Sequence, residues 1–85
     1  MEYRVEIKEH AIKELSKLQA AIGKRIINSL ESLVSEPRPV KSRKLVETNS
    51  SYRLRVGDYR VLYQVDDKDR IITVFRIAHR RDVYR

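Results

Sequence analysis

The stretch that most constrains the fold is Tyr52-Arg53-Leu54-Arg55-Val56-Gly57-Asp58-Tyr59-Arg60-Val61-Leu62-Tyr63. Residues alternate on both sides of a Gly-Asp pair in a run rich in valine, tyrosine and leucine. This predicts a β-hairpin, because glycine supplies the positive φ that a two-residue turn requires. With Gly57 and Asp58 as the turn, the antiparallel partners are Val56 with Tyr59, Arg55 with Arg60, Leu54 with Val61, Arg53 with Leu62, and Tyr52 with Tyr63. Partners share a face of the ribbon. One face then carries Tyr52, Leu54, Val56, Tyr59, Val61 and Tyr63; the other carries Arg53, Arg55, Arg60, Leu62 and Gln64. Directly opposed like charges destabilise a sheet, so the arginine face has two readings. It is a solvated surface screened by water and nearby acids, or it is a seat for a polyanion, since guanidinium presents its donors in a fork that matches phosphate.

The rest of the chain is one small domain, residues 1–85, with room for a modest core. At 41% hydrophobic and 36% charged residues it is globular and not disordered, and the net charge of +7 points to an acidic partner, nucleic acid first. There is no cysteine, which excludes disulfides and thiolate zinc sites, and two separated histidines argue against any metal centre. No cofactor is expected. No apolar run approaches the roughly 18 residues of a membrane span, and Met1-Glu2-Tyr3-Arg4 does not begin a signal peptide. A soluble, cytoplasmic protein without membrane contact is expected.

Along the chain, Tyr3 to Lys8 alternates and predicts a strand with Tyr3, Val5 and Ile7 inward. From His10 to Leu18 the period becomes helical, with Ala11, Ile12, Leu15 and Leu18 on one stripe. A second stripe of Ile22, Ile26, Ile27, Leu30, Leu33 and Val34 runs through a longer helix that Pro37 and Pro39 must end. Joined near Gln19 to Ala21, the two helices form an antiparallel hairpin that packs both stripes on one sheet face. Pro37 to Lys44 is an extended basic connection in which Lys41, Arg43 and Lys44 are solvated linker charges or phosphate contacts. Leu45 and Val46 are expected to add a brief strand before the loop 47–51. Asp66-Asp67-Lys68-Asp69 reads as a polar turn whose acids only solubilise. Ile71 to Ala78, apolar on both parities apart from Thr73 and Arg76, reads as a central strand. The closing Ala78-His79-Arg80-Arg81-Asp82-Val83-Tyr84-Arg85 is a frayed basic end or, with its cations, imidazole and phenol, a set suited to phosphate chemistry.

The order strand, helix hairpin, basic linker ending Lys44-Leu45, then residues 52–63 and the closing His-Arg-Arg-Asp-Val-Tyr of 79–84, resembles the RelE/ParE superfamily of toxins from prokaryotic toxin-antitoxin pairs, and within it the RelE branch. The resemblance covers essentially the whole chain. It implies an α+β fold, with an N-terminal strand and an antiparallel two-helix hairpin packed on one face of a small twisted antiparallel sheet. It implies a ribosome-dependent mRNA endoribonuclease, an mRNA interferase that cuts A-site codons by attack of a ribose 2′-hydroxyl on the adjacent phosphate, with no metal. Carried over by position, it puts Arg53, Arg55, Arg60, Arg80 and Tyr84 in the active site. Beside that set, the cations Lys41, Arg43, Lys44 and Arg81 are candidate RNA contacts. Its implied partners are a cognate antitoxin, the ribosome and mRNA, with DNA reached only through the antitoxin.

The chain departs from the RelE pattern in two ways. The lysines expected at 53 and 55 are arginines, and an arginine expected just after Lys44-Leu45 is Val46. Arginine stays protonated and is a poor general base. His79, whose side-chain type titrates at about 6.5, is the candidate substitute; the other reading is a satisfied strand-end histidine. Two functions from other classes stay open. One is a ParE-like gyrase inhibitor that acts by protein binding. The other is a non-catalytic basic nucleic-acid-binding module, in which many cations would contribute comparably.

Overall fold

The predicted hairpin lies within a five-stranded sheet. The computed structural model describes residues 2–45 and 50–83. In chain order the elements are β1 (Arg4–Ile7), α1 (Glu9–Ser16), α2 (Ala20–Leu33), β2 (Ser42–Lys44), β3 (Ser51–Val56), β4 (Tyr59–Asp66) and β5 (Ile71–His79), and the strands lie side by side as β1-β5-β4-β3-β2. The register of β3 on β4 is the expected one at every pair from Tyr52–Tyr63 to Val56–Tyr59. Gly57 has φ +58°, as the turn demands.

The sheet is mixed. Its hairpin-linked pairs are antiparallel, but β1 runs parallel to β5. The helix pair carries the chain from β1 across one face to the far edge, and three antiparallel steps then walk back to β5 at β1's side. β5 is therefore an interior strand, and β4 holds the middle position. β1 covers only Ile71–Val74 of β5. Beyond it α1 takes over the open edge: the Ile77 amide donates to Glu14 Oε1 at 2.7 Å, which satisfies a donor that an edge strand leaves bare.

Ala11, Ile26, Leu30 and Leu33 from the helices pack on Leu54, Val61, Tyr63, Ile72, Val74 and Ile77 from the sheet. Ile12 and Ile27, expected in the buried stripes, are instead 51% and 45% exposed. Each follows a core residue, and one step along a helix rotates the side chain by about 100°, out of the stripe that faces the sheet. The brief strand expected at Leu45 and Val46 lies earlier, at Ser42–Lys44. Leu45 continues it by donating its amide to the Ser51 carbonyl at 2.9 Å, and Val46 lies outside the described residues.

Candidate functional site

Cross-strand parity assembles the site. Arg53 and Arg55 project from β3 on the face opposite the helices, and Arg60 on β4 stands directly across from Arg55. Arg43 on β2 is the register partner of Arg53 and extends the row outward. With Lys41 and the 91% exposed Val40, these residues line an open cleft of about 390 Å³. Lys44 does not join them. It is paired with Tyr52, one residue out of phase with Arg43, and so belongs to the other face of the sheet.

Arg80 completes the group from the end of β5. Its amide donates to the Asp58 carbonyl at 2.8 Å, tying the closing turn to the hairpin tip. Its charge is one of four influences that hold the Arg60 guanidinium below its ordinary pKa. Desolvation is the largest, followed by repulsion from Arg55, Arg53 and Arg80. Arg60 is held in this field by donating from one Nη to the carbonyls of Gly57 and Tyr59, at 3.2 and 3.0 Å. Guanidiniums that repel one another in fixed positions favour an anion among them.

His79 is not brought to this group. It is the register partner of Tyr59, so it shares the helix face. Its ring stands edge-on to Tyr59 with centroids 5.3 Å apart, and its Nδ1 accepts the Arg81 amide at 3.2 Å. Arg80, the first residue of the closing turn, instead lies close enough to Arg60 to repel its charge. His79 is thus a strand-end histidine packed against Tyr59, apart from the arginine group. Arg81 is exposed in the closing turn, and Tyr84 lies outside the described residues.

A polar clamp that local sequence did not reveal fixes the basic connection. Arg38 forks onto Asp67 with bonds of 2.7 and 3.2 Å and donates through Nε to the Tyr52 hydroxyl at 2.7 Å. The Tyr3 hydroxyl donates to the same carboxylate, and the buried Tyr63 donates its hydroxyl to the Pro37 carbonyl at 2.8 Å. The hydrogen bonds from Arg38 and then Tyr3 hold Asp67 below the ordinary carboxylate pKa, and the Asp67 bond raises that of Arg38. Residues 37–41 are thereby anchored where Lys41 reaches the cleft. The acids of the turn do more than solubilise: Asp67 anchors this clamp, and Asp66 Oδ1 accepts the amides of Lys68 and Asp69 at 3.0 Å each. Among the described residues no cluster of histidine and acidic side chains is placed to hold a metal ion, and no helix is long and apolar enough to cross a membrane.

A helix pair on a mixed sheet with an arginine-bearing open face is the architecture of a toxin family, and the chain belongs to it: residues 5–84 match the family described as the ParE toxin of type II toxin-antitoxin systems. Among relatives, Toxin RelG of Mycobacterium tuberculosis is 31% identical over 100% of this chain and 99% of its own length. The mRNA interferase toxin RelE of Escherichia coli K12 is 29% identical over 94% of this chain and 85% of its own. The crystal structure of the archaeal RelE-RelB complex from Pyrococcus horikoshii contains a chain that superposes with a TM-score of 0.86 at 35% identity, covering 98% of this chain and 100% of that one.

Proposed function

We propose that this toxin is a ribosome-dependent mRNA endoribonuclease, held in check by a cognate antitoxin. The observation that carries the reading is the convergence of Arg53, Arg55, Arg60 and Arg80, from two strands and a turn, on one open face. A phosphate chain is the partner whose geometry the forked guanidinium donors match.

In the proposed reaction the 2′-oxygen of a ribose bonds to the adjacent phosphorus as the bond from phosphorus to the 5′-oxygen breaks. The 2′-proton leaves to solvent, the 5′-oxygen takes up a proton, and the products are a cyclic phosphate and a 5′-hydroxyl. Arg55 and Arg60 clamp the phosphate and offset the charge that accumulates on it. Arg53 adds to that field, and Arg80 stabilises the departing oxygen. Tyr84, following the family pattern, stacks on a base or orients the attacking hydroxyl. Lys41 and Arg43 steer flanking phosphates, and exposed Arg81 adds charge nearby. No base is assigned, since the rate arises from positioning and charge. No metal is assigned either.

The ParE description of the matched family favours a second reading, inhibition of DNA gyrase without catalysis. Primer extension on a reporter mRNA after brief induction separates the two. Cuts inside in-frame codons are expected, only during translation and absent with Arg80→Ala. Growth arrest with uncut mRNA would favour the gyrase reading.

A further inference from the structure

The basic cleft continues past the sheet face. A second hollow of about 340 Å³ lies between α2 and the hairpin tip, and Lys41 and Arg55 line both. Its other wall is Arg25, Asn28, Ser29 and Ser32. These residues recur at helical spacing and give α2 a polar flank beside the stripe of Ile26, Leu30 and Leu33 that it buries. The hollow exists because β2 pairs with β3 only as far as Leu54, which leaves the hairpin end of β3 bordered by helix instead of strand. Arg25 closes it above: its Nη1 lies 3.2 Å from where a Cβ on residue 57 would stand, so glycine at the turn makes room for the guanidinium as well as for the positive φ. Among the described residues, no acid lines either hollow.

We propose that this groove is a second nucleotide subsite. A single-stranded RNA leaving the arginine cleft passes over Lys41 and Arg55 and lays its sugar-phosphate backbone along α2. Arg25 meets a phosphate, while Asn28 and Ser29 offer hydrogen bonds to ribose hydroxyls. The proposal rests on the nucleic-acid reading of the arginine face, and it extends that reading from one scissile phosphate to a track. The polar wall that α2 supplies and the three cations along the path suit a phosphate chain, while Pro39, Leu54 and Val56 add apolar lining.

The test is fluorescence anisotropy of the full chain with two uncleavable 2′-O-methyl RNAs, one of about three nucleotides and one of about nine. Arg25→Gln and the exposed-site variant Asn28→Asp are each expected to weaken the longer RNA by about 5- to 10-fold and leave the shorter one unchanged. Arg25→Gln is also expected to lower the salt slope for the longer RNA by roughly 0.7, the share of one phosphate contact on a single strand. Equal weakening of both RNAs, or an unchanged affinity for the longer one in the folded Asn28→Asp variant, overturns the subsite while leaving the cleft intact. Arg55→Ala tells the two failures apart. If it does not weaken the shorter RNA, the reading of the arginine face falls, and the subsite with it. If Asn28→Asp impairs antitoxin binding but not RNA binding, the groove belongs to a protein segment instead, which also overturns the proposal.

Discussion

On the helix side of the β3–β4 hairpin, Leu54, Val61 and Tyr63 are at most 4% exposed. On the opposite side, one residue away along each strand, Arg53, Arg55 and Arg60 crowd together, and desolvation followed by this repulsion lowers the pKa of Arg60. The two faces share every backbone hydrogen bond and divide the work between them. One lowers the free energy of folding by removing apolar surface from water. The other raises it by opposing like charges. A slip of one residue in register would exchange them, so the Gly57-Asp58 turn serves both. The comparison teaches that substitutions on alternate residues of one strand should sort cleanly into stability and activity.

The largest stability effect is expected on the buried face. Tyr63→Ala should cost about 3–5 kcal/mol in urea unfolding, because the ring is fully buried against the helices. Tyr63→Phe, which loses only the bond to the Pro37 carbonyl, should cost about 1 kcal/mol. A loss below that for the alanine variant would break the assignment of this face.

Arg55→Ala should do the reverse. Cleavage should slow by about 2–4 kcal/mol of transition-state stabilisation, while thermal stability at low salt stays level or rises by up to about 1 kcal/mol as the charge opposite Arg60 is removed. That gain should shrink as added salt screens the wild-type repulsion. An unchanged rate would reduce Arg55 to a surface charge.

The smallest effect belongs to the clamp that joins the two faces' surroundings. Asp67 has its pKa lowered in the folded state by Arg38 and Tyr3. Its contribution is therefore present above the ordinary value of 3.8 and disappears as pH falls through the lowered folded value. Asp67→Asn should be slightly less stable than wild type at neutral pH, and the two melting curves should converge in acid. A gap that persists unchanged into strong acid would assign the effect to packing, not to the ion pair.

Much of this was legible because it is local. The register of β3 on β4 follows from two turn residues and alternation, and the arginine face follows from that register. His79 had two readings in the sequence, a base or a strand-end histidine. Its side depended on how β5 meets β4, a pairing that shifts register beside Leu62 and Tyr63 and that no local pattern announces. The Arg38–Asp67 clamp joins residues far apart in the chain. An acid in a charged turn carries no mark of the cation it will meet.

What the amino-acid sequence determined by itself was the set of elements, the buried stripes, the positive charge and the hairpin that collects three guanidiniums, since each depends on periodicity or turn chemistry within a few residues. Tertiary structure alone decided that β1 pairs parallel to β5, that Glu14 takes the bare edge of β5, that Arg43 and Arg80 join the arginine face while Lys44 and His79 do not, and that the cleft runs on along α2. These depend on which strands become neighbours and in what register, and that choice is made by burying the whole core at once, not by any single segment.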